Sequence, residues 1–203
     1  VPALAVRGLS AGYSDNPYTI DHVSFNVARG QRVAVIGPNG AGKSTLFKAI
    51  VGLIPHTTGE ISFHGRDCRS SHDRVGYVPQ HQEVDWSFPV TAADVVMMGR
   101  ARHLGWFRLP NRHDWQLVNE LLDRVGMADF AKRRIGALSG GQKQRVFIAR
   151  ALAQETDVLL LDEPLNGIDP AAEQEVLNTL DTLRDQNIAV LFATHDMELA
   201  TSR

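Results

Sequence analysis

Apolar residues along this chain follow two patterns. Short runs, either continuous or alternating, mark strands, and longer stretches with apolar residues three and four apart mark helices. Leu4-Ala5-Val6 and Val23-Ser24-Phe25-Asn26-Val27 read as strands, with the turn formers Gly12, Asp15, Asn16 and Pro17 between them. Arg29-Gly30 reverses the chain into the apolar run Val33-Ala34-Val35-Ile36, and Lys43 to Ile50 reads as a helix. Thr58 to Gly65 and Arg74 to Val78 are further strands, the second stopped by Pro79. From about Thr91 to Gln154 the strand pattern gives way to helical spacing. Thr91 is placed to cap Ala92 to Met98, and Leu117, Leu121, Leu122 and Val125 make a stripe closed by Gly126. Val158-Leu159-Leu160-Leu161 is again a buried strand. Pro170 opens a helix carrying Val176, Leu177, Leu180 and Leu183, and Ile188 to Phe192 is one more buried strand.

Continuous apolar strands joined through a helix imply a parallel sheet covered on both faces. The expected fold class is therefore α/β, with a mixed, largely parallel core sheet, an N-terminal antiparallel β layer and an inserted helical lobe. The core takes about 1–89 and 156–203, and the lobe about 90–155.

Candidate chemistry begins at Gly37-Pro38-Asn39-Gly40-Ala41-Gly42-Lys43-Ser44-Thr45, which fits GxxxxGK[ST] directly behind a buried strand and ahead of a helix. Glycines let consecutive backbone N–H groups face a polyanion, and the helix N-terminus adds positive potential. Lys43 supplies a point charge for the outer phosphates and the Ser44 hydroxyl a Mg²⁺ ligand. Asp162-Glu163 follows the strand ending at Leu161, which places two carboxylates at the edge where the phosphate loop also emerges. Asp162 suits the Mg²⁺ sphere and Glu163 an attacking water; an acidic turn closing the strand is the plainer alternative. Ser139-Gly140-Gly141-Gln142 opens a second helix and is either a further anion site or a simple cap. Because it lies in the lobe, it suggests two chains paired head to tail around two nucleotides.

Five segments now stand in order: GPNGAGKST, YVPQ with Gln80, LSGGQ, LLLDEP and THD with His195. In this the chain resembles the ATP-binding cassette (ABC) ATPases, which have a P-loop NTPase core, over essentially its whole length. The resemblance implies that Lys43 and Ser44 hold the phosphates and Mg²⁺ of ATP, and that Gln80 senses the γ-phosphate and metal. It implies that Ser139 to Gln142 close on the γ-phosphate of the opposite subunit, that Asp162 is the second Mg²⁺ anchor, and that Glu163 is the catalytic base. His195 would be the switch that contacts the γ-phosphate, and Tyr13 the aromatic that stacks on adenine, unless Tyr13 is simple packing. Asn166-Gly167-Ile168-Asp169 stands where many relatives have Ser-x-Leu-Asp, with Asp169 retained and the serine absent.

More narrowly, Val84 to Thr91, Asp94 to Arg100 and Gly105 to Arg108 resemble the ATPases of manganese, zinc and iron importers. That likeness implies a membrane permease and an extracytoplasmic metal-binding protein as partners, and a peripheral place on the cytoplasmic face of the membrane. Trp86, Phe88, Trp106 and Phe107 would either dock the permease or pack the lobe internally. Arg100, Arg102, Arg108 and Arg112, and likewise Lys132-Arg133-Arg134, read as solvated faces. His81, Glu83 and Asp85 lack the spacing of a strong zinc motif.

Bulk properties narrow the alternatives. The 203 residues, 43% hydrophobic and 22% charged, suffice for a core. A net charge of −2 gives no general attraction to nucleic acid. The single Cys68 excludes an internal disulfide and fits a reducing, cytoplasmic compartment. Apolar runs are far shorter than the ~20 residues that span a bilayer, so membrane association would go through a partner. A start at Val1 rather than Met and an end soon after His195 suggest a missing C-terminal portion. An exporter ATPase is the nearest alternative. A soluble cassette acting on nucleic acid or the ribosome is the next, although Ile50 to Leu138 has no sustained heptads for a coiled-coil insertion. A non-catalytic, nucleotide-gated module is a third, against which Gln80, Glu163 and His195 are all present.

Overall fold

In the computed structural model, which describes residues 1–67, 74–80, 89–104 and 109–196, the chain opens with an antiparallel sheet. Strand β1 (Leu4–Tyr13) turns at Ser14-Asp15 into β2 (Asn16–Val27). Both strands outrun the short apolar segments that announce them. Register shifts between Val6 and Leu9, Leu9 and Ala11, and Ala11 and Tyr13 carry the ladder through positions that break the alternation. The expected break around Gly12 is therefore strand up to Tyr13. On its other side β1 pairs with β4 (His56–Phe63), which turns back into β5 (Arg66–Asp67), giving the order β2-β1-β4-β5.

A second sheet is parallel throughout. It takes β3 (Arg32–Ile36), β6 (Val75–Val78), β7 (Val158–Asp162) and β8 (Ala189–Thr194) in the order β3-β8-β7-β6. Every residue of β7 and β8 is buried, as their unbroken apolar runs require. Helix α1 (Lys43–Ile50) touches β1 and β7, and it buries Phe47 and Ile50 completely among Leu4, Leu9, Phe63, Leu160 and Leu191. Each such side chain contributes about 1.5–3 kcal/mol by leaving water. Parallel strands share one C-terminal edge. Here that edge delivers Gly37 from β3, Gln80 from β6, Glu163 from β7 and His195 from β8.

The described residues divide into two compact units. One is drawn from Val1–Gln80, Asp157–Pro164 and Leu183–Arg203 and holds both sheets; the other is drawn from His81–Thr156 and Leu165–Thr182. The second unit holds α2 (Ala92–Met98), α3 (Ala101–Leu104), α4 (Arg112–Arg124), α5 (Gly140–Leu152) and most of α6 (Pro170–Arg184), with 3₁₀ turns at Ala128–Phe130 and Ile135–Ala137. Three of its helices begin with reciprocal capping boxes: Thr91 with Asp94, Asn111 with Asp114, and Ser139 with Gln142. Val118, Leu121, Leu122 and Val125 form the buried stripe of α4, while Leu117 is only partly buried. Trp86, Phe88, Trp106, Phe107, Arg108 and the His81, Glu83 and Asp85 group lie outside the described residues.

Arg100 corrects the solvated-face expectation. It is 5% exposed, and its guanidinium donates to Asp114 at 3.3 Å, to Glu155 at 2.6 Å and to the Ala153 carbonyl at 3.2 Å. It thereby ties the end of α2 to the starts of α4 and the α5–β7 link. Arg102, Arg112, Lys132, Arg133 and Arg134 are exposed as expected. Backbone hydrogen bonding at Asn111, and then Arg100, hold the Asp114 carboxyl below its usual range; the hydrogen bond from Arg100 does the same for Glu155. Depressed carboxylate values contribute stability above the unfolded pKa, and that stability is lost as pH falls through the folded one. Stability against chemical denaturant below about pH 4, near the ordinary carboxylate values, is therefore expected to fall off more steeply for the wild type than for Arg100→Met. Parallel pH–stability curves for the two proteins would contradict this.

Candidate active site

The phosphate-binding loop leaves β3 at Gly37, whose N–H donates to the Thr194 carbonyl at 3.3 Å and so fixes the loop to the end of β8. Gly42 has φ 89°, and a Cβ there would lie 2.8 Å from Ile20 Cγ2, so both conformation and space demand glycine. Gly42 also begins α1 without a side-chain cap, in contrast to the capping boxes of α2, α4 and α5. The first-turn N–H groups of α1 therefore remain available to an anion. Lys43 is folded over the loop, where Nζ donates to the Gly37 carbonyl at 2.8 Å and the Pro38 carbonyl at 3.1 Å. The same Nζ lies 3.4 Å from Glu163 Oε1, with both side chains less than a tenth exposed, at 6% and 7%.

The two carboxylates at the end of β7 have different surroundings. Asp162 is 3% exposed; its Oδ2 accepts from the Tyr77 hydroxyl at 3.3 Å, while its Oδ1 is buried with no hydrogen-bond partner among the described residues. Burial, and then the Asp162 charge, push the Tyr77 hydroxyl above its ordinary pKa. Glu163 adopts φ 49°, a left-handed conformation that a non-glycine residue holds only when its surroundings enforce it. Pro164 next in the chain disfavours the right-handed helical alternative. The turn aims Glu163 at Gln80, whose Nε2 donates to Oε2 at 2.6 Å.

Around these groups lies an open cleft of about 480 Å³, lined by Asn39, Gly40, Gly42, Lys43, Ser44, Thr45, Gln80 and Glu163, and by Thr19 from β2. His195 is exposed just past β8, whose Thr194 stands opposite Ile36 of β3. Tyr13, at the end of β1, is 42% exposed, with its hydroxyl 3.5 Å from Lys48 Nζ. The loop, Gln80, Asp162-Glu163 and His195 thus converge on one sheet edge. Sequence reasoning missed Tyr77 and Thr19. Tyr77 does lie three residues before Gln80 in the segment YVPQ, and a polar tip on an apolar strand was the available signal.

Ser139 to Gln142 belong to the helical unit. Ser139 Oγ accepts from the Gln142 N–H at 3.3 Å, and Gln142 Oε1 accepts from the Ser139 N–H at 3.0 Å. The start of α5 presses on the Asn166–Asp169 loop and the first turn of α6. A Cβ on Gly141 would stand 2.5 Å from Ala172 Cβ, and one on Gly140 would stand 3.1 Å from Ile168 Cγ2. Arg145 on α5 closes the contact with an ion pair to Glu175 on α6 at 2.7 Å.

The site can be set beside known proteins. The profile of the ABC transporter family matches residues 20–166. The chain is 44% identical over 192 residues to the manganese transport system ATP-binding protein MntB of Bacillus subtilis (strain 168), across 95% of this chain and 76% of that protein. It is also 44% identical over 196 residues to the zinc transport system ATP-binding protein TroB of Treponema pallidum (strain Nichols), across 97% of this chain and 73% of that protein. Among solved structures, a metal-chelate type ABC transporter in an inward-facing conformation superposes with a TM-score of 0.85 at 36% identity, covering 96% of this chain and 73% of that chain. No helix among the described residues is long and apolar enough to cross a membrane. Motif order, sheet-edge geometry and similarity agree that the chain belongs to the ABC transporter family, as one of its ATP-hydrolysing subunits.

Proposed function

We propose that this ATPase powers import of a divalent transition metal, manganese, zinc or iron, through a membrane permease to which it binds at the cytoplasmic face. The observation that carries the catalytic part is the chain of contacts Gln80–Glu163–Lys43, at 2.6 Å and 3.4 Å, along the cleft beside the phosphate-binding loop. The metal cargo is supported by relatives named for manganese and zinc transport, with an extracytoplasmic metal-binding protein as the expected donor.

In this reading ATP lays its phosphates over the loop. The N–H groups at the start of α1 receive them, and Tyr13 stacks on adenine. Phosphate oxygens compete for Lys43 Nζ, which releases Glu163 Oε1. Glu163 then orients the attacking water and takes its proton, held in place by Gln80. His195 meets the γ-phosphate from the end of β8. Ser139 to Gln142 of one copy close on the γ-phosphate held by a second copy, so that two sites form in a head-to-tail pair.

A Mg²⁺ ion fits the donors present. Magnesium is commonly held by one or two carboxylates together with substrate phosphates and waters, and the described residues contain no cluster of three or more His, Cys, Asp or Glu able to cage a metal alone. Buried Asp162 Oδ1, without a partner among those residues, supplies the carboxylate oxygen. Ser44 and Gln80 would complete the protein's share. When bound, the ion neutralises phosphate charge.

The test is ATP hydrolysis by the complete transporter in lipid vesicles, with permease and metal-binding protein, given Mn²⁺, Zn²⁺ and Fe²⁺ separately in the presence of Mg²⁺. Stimulation by one of the three ions is expected. A rate indifferent to all three would contradict the metal-import reading and leave the ATPase standing.

A further inference from the structure

We propose that Tyr77 is a positioning residue for the metal-binding carboxylate of Asp162, holding one oxygen so that the other faces the Mg²⁺ of bound nucleotide. The inference rests on the reading of Asp162 as a metal anchor. Strand register provides its geometry. Tyr77 of β6 stands opposite Leu160 of β7, and Asp162 is two residues further along the same strand. Residues two apart project from one face, so Asp162 is the diagonal neighbour of Tyr77, within reach of a long aromatic side chain.

The observed contact follows that geometry. The Tyr77 hydroxyl donates to Asp162 Oδ2 at 3.3 Å, and Oδ1 stays buried with no partner among the described residues. A carboxylate alone has a broad, two-fold torsional preference, so either oxygen could turn toward a ligand. A donor on Oδ2 removes that freedom. Phenylalanine would fill the same place on β6 but would leave the carboxylate without this donor. Three residues on, Gln80 does the corresponding work for the adjacent carboxylate, donating to Glu163 Oε2 at 2.6 Å. Strand β6 and its extension therefore set both carboxylates at the end of β7, one for the metal and one for water.

The test is equilibrium binding of a fluorescent, non-hydrolysable ATP analogue, measured with Mg²⁺ and with excess EDTA. It compares the wild-type protein, Tyr77→Phe, Asp162→Asn and the double variant. Groups that orient metal ligands typically affect metal affinity by about 10- to 100-fold. Tyr77→Phe is expected to reduce the Mg²⁺-dependent gain in nucleotide affinity by about 10-fold while leaving affinity in EDTA unchanged. Asp162→Asn is expected to remove the gain, and adding Tyr77→Phe to it should change nothing further. A wild-type gain in Tyr77→Phe overturns the inference, as does an equal fall in both media, which would mark Tyr77 as strand packing. If Asp162→Asn itself kept the gain, the reading of Asp162 would fail and the inference with it.

Discussion

Glu163→Gln is expected to lower ATP turnover by about 10²- to 10⁴-fold, the usual contribution of a positioned general base, while ATP still binds. The substitution keeps the size of the side chain and its capacity to accept a hydrogen bond. It removes the negative charge that Lys43 Nζ approaches at 3.4 Å and the basicity needed to take a proton from water. The left-handed backbone at Glu163 and the Pro164 that follows it are unchanged, so the turn should hold. Steady-state phosphate release and nucleotide binding, measured on one preparation, separate the two effects. Turnover within a few-fold of the wild type would show that another group activates the water.

Lys43→Met should act at the other end of the same chain of contacts, on binding rather than on chemistry. Met matches the length of the lysine stem and replaces its buried ammonium, now held by the Gly37 and Pro38 carbonyls at 2.8 Å and 3.1 Å. Hydrogen bonds to charged groups are worth about 1.5–3 kcal/mol. Loss of one to the outer phosphates therefore predicts about 10- to 150-fold weaker ATP affinity at 1.4 kcal/mol per decade. ADP, which lacks the γ-phosphate, should lose less. Titration with both nucleotides checks the assignment, and equal losses would place Lys43 away from the terminal phosphate.

These two variants separate binding from chemistry because the fold brings distant residues to one edge. Much of that fold is legible in local pattern. Helix α1 runs over Lys43–Ile50 behind its glycine-rich loop and α2 over Ala92–Met98 behind its Thr91 cap, both within the bounds the sequence predicts. The unbroken run from Val158 to Leu161 reads as a strand buried on both faces, and β7 is buried throughout. What the chain conceals is non-local. Arg100 looks like one charge in a basic stretch; its carboxylate partners lie 14 and 55 residues away, and pairing is what permits its burial. Tyr77 meets Asp162 across 85 residues of sequence, through a strand pairing that periodicity does not specify. The order β3-β8-β7-β6 is likewise a property of the sheet and not of any one segment. The residues of the site were named by their motifs, whereas their relation to one another comes from the sheet.

Coupling of this cleft to transport is measured most directly as metal uptake by vesicles carrying the complete transporter, with ATP hydrolysis followed in the same sample. Uptake and hydrolysis are expected to rise together with one of Mn²⁺, Zn²⁺ or Fe²⁺, and Glu163→Gln is expected to abolish both while ATP remains bound. Uptake that continues in Glu163→Gln at the wild-type rate would contradict the assignment of this cleft as the engine of transport.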